Sequence, residues 1–371
     1  MLRTMTMNIR YRILILCLIA FFTRLTAATE QLSFNLYLDA DLSNNAASGR
    51  SIELGIQTAL DEVDWKLAGI PVKLITKDHH GSTPRSTHHL QQILEDPNAL
   101  AVFGGLHSPP LIANRDFINS KQILTLVPWA AATPITRSAD EDNWIFRLSL
   151  DDSKVGSFLV SEMIKSGHRR PYLILEETGW GKANFATINQ ALSQHQLEPS
   201  GHSYFKWNIS KNSAQRLIQQ AANNKADTIL LVANTPEGIT FAKAMLSMRP
   251  NSRMPILSHW GITGGNFFTE LGAKQLKGLE LRFVQSSFSF FSRPLSEFSL
   301  TVLSQASRLL GSSTPQATLI NAPSGFIHAY DLTRLLIASA AATTLTGIAS
   351  EDKHKIRMSL TNLHDPVKGL I

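Results

Sequence analysis

The chain has 371 residues, with 35 Lys and Arg against 29 Asp and Glu, 43% apolar residues and a single cysteine. That length suffices for two lobes, each with its own core, and one cysteine excludes a disulfide framework. Four of the arginines and none of the acids fall in residues 1–28, so the remainder carries 31 basic groups (35 less four) against 29 acidic ones, which leaves no electrostatic footprint for nucleic acid.

Residues 1–28 read as a secretory signal peptide. Arg3, Arg10 and Arg12 form a basic region, Ile13–Phe22 an apolar core, and Thr26-Ala27-Ala28 the small residues of a cleavage site, with Arg24 leaving the cut defined only to within a few residues. The apolar core is too short to span a bilayer. Cys17 lies inside it, without the small residues that precede a lipidated cysteine, so the exported chain has no thiol. No later stretch approaches roughly 18 uninterrupted apolar residues. The expected product is a soluble, periplasmic protein.

The periodicity then switches repeatedly between strand and helix. Leu32–Leu38 alternates as a strand and breaks at the polar loop Asp39–Ser43; Ile52, Ile56, Ala59, Leu60 and Val63 mark one buried helix face. Val72–Ile75 is a strand, Lys77–Thr83 a loop, and Pro84 opens a helix carrying Leu90, Ile93 and Leu94. Leu100–Phe103 is a strand ending at Gly104-Gly105. Ser108 before Pro109 reads as the N-cap of a helix running to about Ser120. The strand Gln122–Val127 follows, stopping at Pro128 before the small residues Ala130–Thr133. This is the pattern of a doubly wound parallel sheet.

After a break at Phe146–Asp152 the alternation restarts. A helix over Ser153–Ser166 precedes a strand at Tyr172–Leu175, which ends at Glu176-Glu177-Thr178-Gly179-Trp180-Gly181. A helix to Gln196, a strand at Tyr204–Trp207 and a helix at Ala214–Asn223 come next. The strand Thr228–Val232 ends at Ala233-Asn234-Thr235-Pro236, a helix runs to Met248, and Ile256–Leu257 leads into Ser258-His259-Trp260-Gly261. Leu279–Val284 is the last strand; beyond Ser296 the chain is helical, with faces at Phe298–Leu310 and Gly325–Ala342.

In open α/β sheets ligands sit beyond the carboxyl ends of the strands, where helix N-termini offer N–H groups to anions. The Ser108 hydroxyl and the amides of Ala130, Ala131, Ala132 and Thr133 suit a small carboxylate better than a cation, although Ser108 can also serve simply as a cap. Other chemistries find little support. His79-His80 and His88-His89 are read as surface residues: neighbours on a helix point ~100° apart, and no HExxH or CxxC spacing exists. No metal and no cofactor is expected. His107 beside Ser108 does not make a base–nucleophile pair, and no GxSxG elbow exists, so the chain is not read as an enzyme. Gly261-Ile262-Thr263-Gly264-Gly265 lacks the lysine of a phosphate loop and is read as a flexible turn. Phe283, Phe288, Phe290 and Phe291 are read as a hydrophobic junction between lobes.

Taken together, the loop Asp39–Ser43, Gly49 opening a helix that ends Ala59-Leu60-Asp61-Glu62-Val63, Lys77-Asp78, the turn Gly104–Ser108, Pro128–Pro134, Phe146-Arg147-Leu148, Trp180-Gly181 and His328–Leu332 give the chain its likeness. It resembles the type I periplasmic solute-binding proteins, the family of the leucine/isoleucine/valine-binding proteins of ABC importers. The resemblance implies two doubly wound α/β lobes joined by a three-crossover hinge, closing over a ligand. Lobe 1 would comprise residues 29–149 and 285–355, and lobe 2 residues 150–284 and 356–371; family members usually run past the position of Ile371 into a closing strand, so this chain is either truncated or does without that strand.

It also implies that Ser108 and the Ala130–Thr133 loop hold the carboxylate of an amino-acid-like ligand, or of a carboxylate or amide. The family's aromatic turn residue falls on Trp180, which either stacks over the ligand or packs at a lobe edge. Trp260 stands where amino-acid binders place an acid for the ligand's ammonium, and Asn234 and Thr235 replace a usual tyrosine. The two tryptophans thus form either a partial cage for an ammonium or the floor of a pocket for a neutral or anionic ligand, with Glu176 and Glu177 as possible substitutes for the missing acid. The implied partner is the membrane permease of an ABC importer, or alternatively a membrane sensor protein.

Overall fold

A computed structural model describes residues 32–137 and 142–371. The expected signal peptide of residues 1–28, with Cys17, lies outside the described residues, and no described helix is long and apolar enough to cross a membrane.

The first lobe is built on β1 (Phe34–Ala40), β2 (Lys66–Leu67), β3 (Ile70–Asp78), β4 (Ala99–Gly104), β5 (Thr125–Val127) and β6 (Ile145–Arg147). They form one sheet in the order β2-β3-β1-β4-β5-β6. The short β2 runs antiparallel to β3; the other pairs are parallel. β4 and β5 are buried almost throughout, as strands covered on both faces must be. The helices α1 (Ala46–Asp61), α2 (Thr83–Leu94) and α3 (Ser108–Ser120) connect these strands. Pro84 lies in the first turn of α2, and the Ser82 hydroxyl accepts the Arg85 N–H at 3.4 Å, the capping arrangement that ends the preceding loop.

The second lobe repeats the plan. Its strands are β7 (Pro171–Glu176), β8 (Gly201–Phe205), β9 (Thr228–Val232), β10 (Ile256–Ser258) and β11 (Leu281–Phe283), in the all-parallel order β11-β10-β9-β7-β8. Its helices are α4 (Asp152–Lys165), α5 (Gly179–Gln194), α6 (Lys211–Asn223), α7 (Thr235–Leu246) and α8 (Phe267–Leu276). Strand alternation sorts the core. Tyr172, Ile174, Ile229 and Leu231 join Ile218, Phe241 and Leu271 of α6–α8, while Leu173, Leu175, Leu230 and Val232 join Leu159 and Ile188 of α4 and α5.

In both sheets the first parallel strand lies between the second and the third, so the switch points fall between β1 and β4 and between β7 and β9. Asp39 pairs with Gly104 at the first, Leu175 with Val232 at the second. The two switch points carry the residues of the cleft described below.

The chain passes from the first sheet to the second after β6 and returns after β11. α9 (Glu297–Leu309), α10 (Pro323–Ala341) and α11 (Ala349–Thr361) follow. α10 lies along α1, where a Cβ on Gly55 would come 2.4 Å from the Phe326 carbonyl oxygen; only glycine permits that approach. The expected third crossover near residue 355 is absent from the described residues. α11 continues through that position, burying Ile356 and contacting β4. The amides of Leu370 and Ile371 donate to the Asp331 carboxylate of α10 at 2.7 and 3.0 Å. Residues 356–371 thus pack with the first lobe in this structure, not the second. The phenylalanine run divides: Phe290 is fully buried against Phe326, whereas Phe291 is exposed.

Candidate functional site

Three first-lobe strand ends converge on the cleft. β1 runs into Asp41, whose Oδ2 meets His107 Nε2 at 3.0 Å with both side chains buried, and accepts the Asn45 amide at 3.1 Å. Burial alone would raise the Asp41 carboxyl. The hydrogen bonds from His107, Asn45 and the Asn44 N–H outweigh it and hold the group well below the usual carboxylate range. β4 ends at Gly104, after which His107, not Ser108, is the N-cap of α3. Ser108 is the first helical residue, and its hydroxyl accepts the Ala132 N–H at 3.3 Å. Cap identity turns on a single residue's ψ, which the Ser-Pro pair leaves open. Pro109 and Pro110 remove two of the amides that a helix N-terminus would otherwise offer an anion. β5 leads into Trp129, which is 1% exposed.

The second lobe supplies the opposite wall. β7 ends at Glu176, 1% exposed. Its carboxylate accepts the Asn234 amide at 3.0 Å and the Thr178 hydroxyl at 3.1 Å. Burial pushes Glu176 up to about 7, against the lowering influence of the Trp207 indole and of His107 across the cleft. Thr178 caps α5, accepting the Gly181 N–H at 3.3 Å. This turn places Trp180 in the wall. Trp260, in a short 3₁₀ turn after β10, stands 5.8 Å from Trp129 across the lobe boundary and edge-on to His328. Trp207 lies in the loop after β8, not in a strand, and reaches His107 of the other lobe with ring centroids 5.0 Å apart.

Leu106, His107, Ser108, Pro109, Trp129 and Ala131 from the first lobe, and Glu176, Trp180, Asn234, Trp260 and Gly261 from the second, enclose a cavity of ≈ 10 Å³, room for about one water. Among these, the indole N–H groups of Trp129 and Trp180 and Nδ1 of His107 are buried without a hydrogen-bond partner. Buried polar atoms are normally paired, so these three are free to meet a water or a ligand group in the cavity. A larger groove of ≈ 690 Å³ follows the crossovers beside Arg147, Asp151 and Phe158, at the end of β6. There Arg147 and Arg137 meet Asp151 at 2.8 and 2.9 Å.

Of the residues expected at the site, Ser108, Ala131, Trp180, Asn234 and Trp260 line the cavity together. Ala130, Ala132, Thr133 and Thr235 lie beside it. The Ala132 carbonyl accepts Arg147, the Thr133 hydroxyl donates to Asp151 at 3.0 Å, and the Thr235 hydroxyl donates to the Ile262 carbonyl at 3.0 Å. Sequence reasoning missed His107 and Trp129, but offers Glu176, at the end of a second-lobe strand, as a possible substitute for the missing acid.

Of the four histidines read as surface residues, His80 and His88 are exposed, whereas His79 and His89 are not. His79 is 2% exposed and His89 meets Asp39 at 2.7 Å. Among the described residues, no group of three or more His, Cys, Asp or Glu is placed to hold a metal ion.

Comparison with known proteins agrees with this architecture. Residues 37–293 match the family model described as periplasmic binding protein. Curated protein sequences give no significant match. The fold is similar to a benzoate-bound ABC transporter solute-binding protein from R. palustris, at 17% identity and TM-score 0.73 over 88% of this chain and 85% of that one. It is also similar to a leucine-binding protein from Thermotoga maritima, at 17% identity and TM-score 0.71 over 88% and 87%. A fatty acid ABC transporter substrate-binding protein from Thermomonospora curvata gives 17% identity and TM-score 0.74 over 91% and 82%. The chain belongs to the periplasmic binding protein family, in its type I fold, a family of solute-binding proteins and not of enzymes.

Proposed function

We propose that this protein captures a small organic carboxylate between its two lobes, outside the cytoplasm, and delivers it to the membrane permease of an ABC importer. The observation that carries the reading is the meeting of Ser108 and Ala131 with the unpartnered indole N–H groups of Trp129 and Trp180 around one cavity. Hydroxyl and N–H donors of this kind stabilise a carboxylate through charge-assisted hydrogen bonds. The relatives point the same way: benzoate, leucine and a fatty acid share a carboxylate and an apolar body. The cavity is too small for such a ligand as the lobes stand, so capture proceeds by hinge opening about the crossovers near Ser149 and Val284, followed by closure. Residues 1–28 act as the export signal.

Replacing Ser108 by alanine tests the assignment. A hydrogen bond to a charged group contributes about 1.5–3 kcal/mol, so Ser108→Ala should weaken carboxylate binding by roughly tenfold or more in calorimetric titration. Unchanged affinity would remove Ser108 from the site.

A further inference from the structure

We propose that Asp152, which lines no part of the cavity, is the positioning residue of the ligand site: it ties the first crossover to the cavity walls of both lobes. The inference rests on the cavity between the lobes being the ligand site, and adds what fixes its shape.

Asp152 opens α4, just past the crossover near Ser149. Its backbone N–H donates to the carbonyl of Ala131 at 3.0 Å, and Ala131 lines the cavity from the first lobe. Its side chain is fully buried and engages the second lobe. Oδ2 accepts the Asn184 amide at 2.7 Å, and the same amide reaches the Trp180 carbonyl, one turn earlier in α5, at 3.2 Å. Oδ1 meets His259 Nε2 at 2.7 Å. His259 Nδ1 accepts the Gly261 N–H at 3.4 Å, which leaves the ring proton on Nε2 to donate to Asp152.

These contacts converge on the second lobe's side of the cavity. Trp180, Trp260 and Gly261 all line it. Trp180 stands edge-on to His259 with ring centroids 5.0 Å apart, and a Cβ on Gly261 would come 2.9 Å from the Trp180 ring. One carboxylate thus holds both the turn of α5 that carries Trp180 and the 3₁₀ turn that carries Trp260 and Gly261.

Stability does not account for the arrangement. Among the described residues Asp152 pairs with His259 and with no lysine or arginine; the Arg147 guanidinium, which feels its charge, is held by Asp151 at 2.8 Å. A buried carboxylate so placed gives the fold little net stability compared with apolar side chains filling the same space. Its contribution is to place the wall. Because its N–H holds Ala131 while its carboxylate holds the second lobe, Asp152 is a fixed point between the lobes. Rotation about the crossover then carries Trp180 and Trp260 towards Ala131 and Trp129 as one unit.

The test labels the whole chain with 5-fluorotryptophan, assigns each fluorine resonance by replacing one tryptophan at a time with phenylalanine, and compares wild type with Asp152→Asn. The amide keeps the volume of the carboxylate but sets a donor against Asn184 or His259. The Trp180 and Trp260 resonances should shift or broaden in Asp152→Asn, while that of Trp65 in the first lobe stays in place. Asp352→Asn, at an equally buried acid of α11, should leave the Trp180 and Trp260 resonances unmoved. In calorimetric titrations with benzoate and with L-leucine, each acid that binds wild type should bind Asp152→Asn roughly tenfold or more weakly, a loss of the size seen when an orienting partner is removed from a metal site. That loss should shrink in a Trp180→Phe background, because the two residues act in one network. Should Asp152→Asn fail to fold, Asn184→Ala cuts the arm to Trp180 alone and should move that resonance. Unmoved Trp180 and Trp260 resonances, or full affinity in Asp152→Asn, overturn this inference and leave the carboxylate reading standing. Failure of both acids to bind wild type counts against the carboxylate reading, and the fluorine spectra still decide the inference.

Discussion

The imidazole of His107 and the indole of Trp207 come from different lobes, yet their ring centroids lie 5.0 Å apart with planes inclined by 36°. The Trp207 ring also stands against Gly81 of the first lobe, where a Cβ would come within 3.0 Å of it. This contact exists only while the lobes are together, so it acts as a clasp on the closed state.

Removing the clasp should therefore weaken ligand binding without touching the ligand's own contacts. An aromatic pair contributes about 1 kcal/mol beyond its area, so Trp207→Ala should lose roughly fivefold or more in affinity, with Trp207→Phe intermediate. X-ray scattering should show a larger radius of gyration for the alanine variant. Wild-type affinity and dimensions in Trp207→Ala would contradict the clasp.

Two buried groups should give the stability of the ligand-free protein opposing dependences on pH. Burial raises Glu176 from 4.5 to about 7. Its folded form keeps a proton that the unfolded chain has released, so its contribution is full below pH 4.5 and is lost as pH rises through 7. Burial lowers His328 from 6.5 to about 4, against the raising influence of its hydrogen bond to the Ser324 carbonyl, 2.6 Å away. Its contribution is full above pH 6.5 and is lost as pH falls through 4. Each amounts to about 3 kcal/mol, so the two largely offset each other between pH ~5 and ~7. Urea midpoints should rise with pH in Glu176→Gln and fall with pH in His328→Asn. Parallel profiles in the two variants would contradict these assignments.

The turn that sets both Glu176 and Trp180 depends on Gly181, where an added Cβ would lie 1.8 Å from the Glu176 carbonyl oxygen. No side chain relaxes that clash, because both sides are backbone. Gly181→Ala should cost about 3 kcal/mol in urea unfolding and displace Trp180 enough to abolish binding. Stability within about 0.5 kcal/mol of wild type, the range of ordinary surface changes, would show that the turn tolerates the shift.

Much of this architecture was legible in the residues. Thr228–Val232 reads as a buried apolar run and is β9 with the same limits. Pro84 announces the start of α2. The pairing of lobes was readable because the βα alternation restarts after Phe146. What escaped depends on contacts between distant segments. Glu176 and Glu177 read as equal candidates because nothing local shows that only Glu176 is buried, with Glu177 left exposed. Trp207 continues an apparent alternation, but β8 stops at Phe205 and frees the ring to cross the cleft. Trp129 sits in the loop already singled out, yet its neighbours Ala130–Thr133 drew the reading towards their amides. His79 and His89 read as solvent-exposed until β1 brings Asp39 and Asp41 beside them.

The most direct test of carboxylate capture is a thermal-shift comparison on protein refolded to remove any carried-over ligand, using each acid beside its methyl ester. Binding to the folded state alone raises stability by about 2.7 kcal/mol at a hundredfold excess over Kd. At least one small organic acid should raise the melting temperature by several degrees while its ester does not. Equal shifts with acid and ester, or none with any acid, would contradict the account.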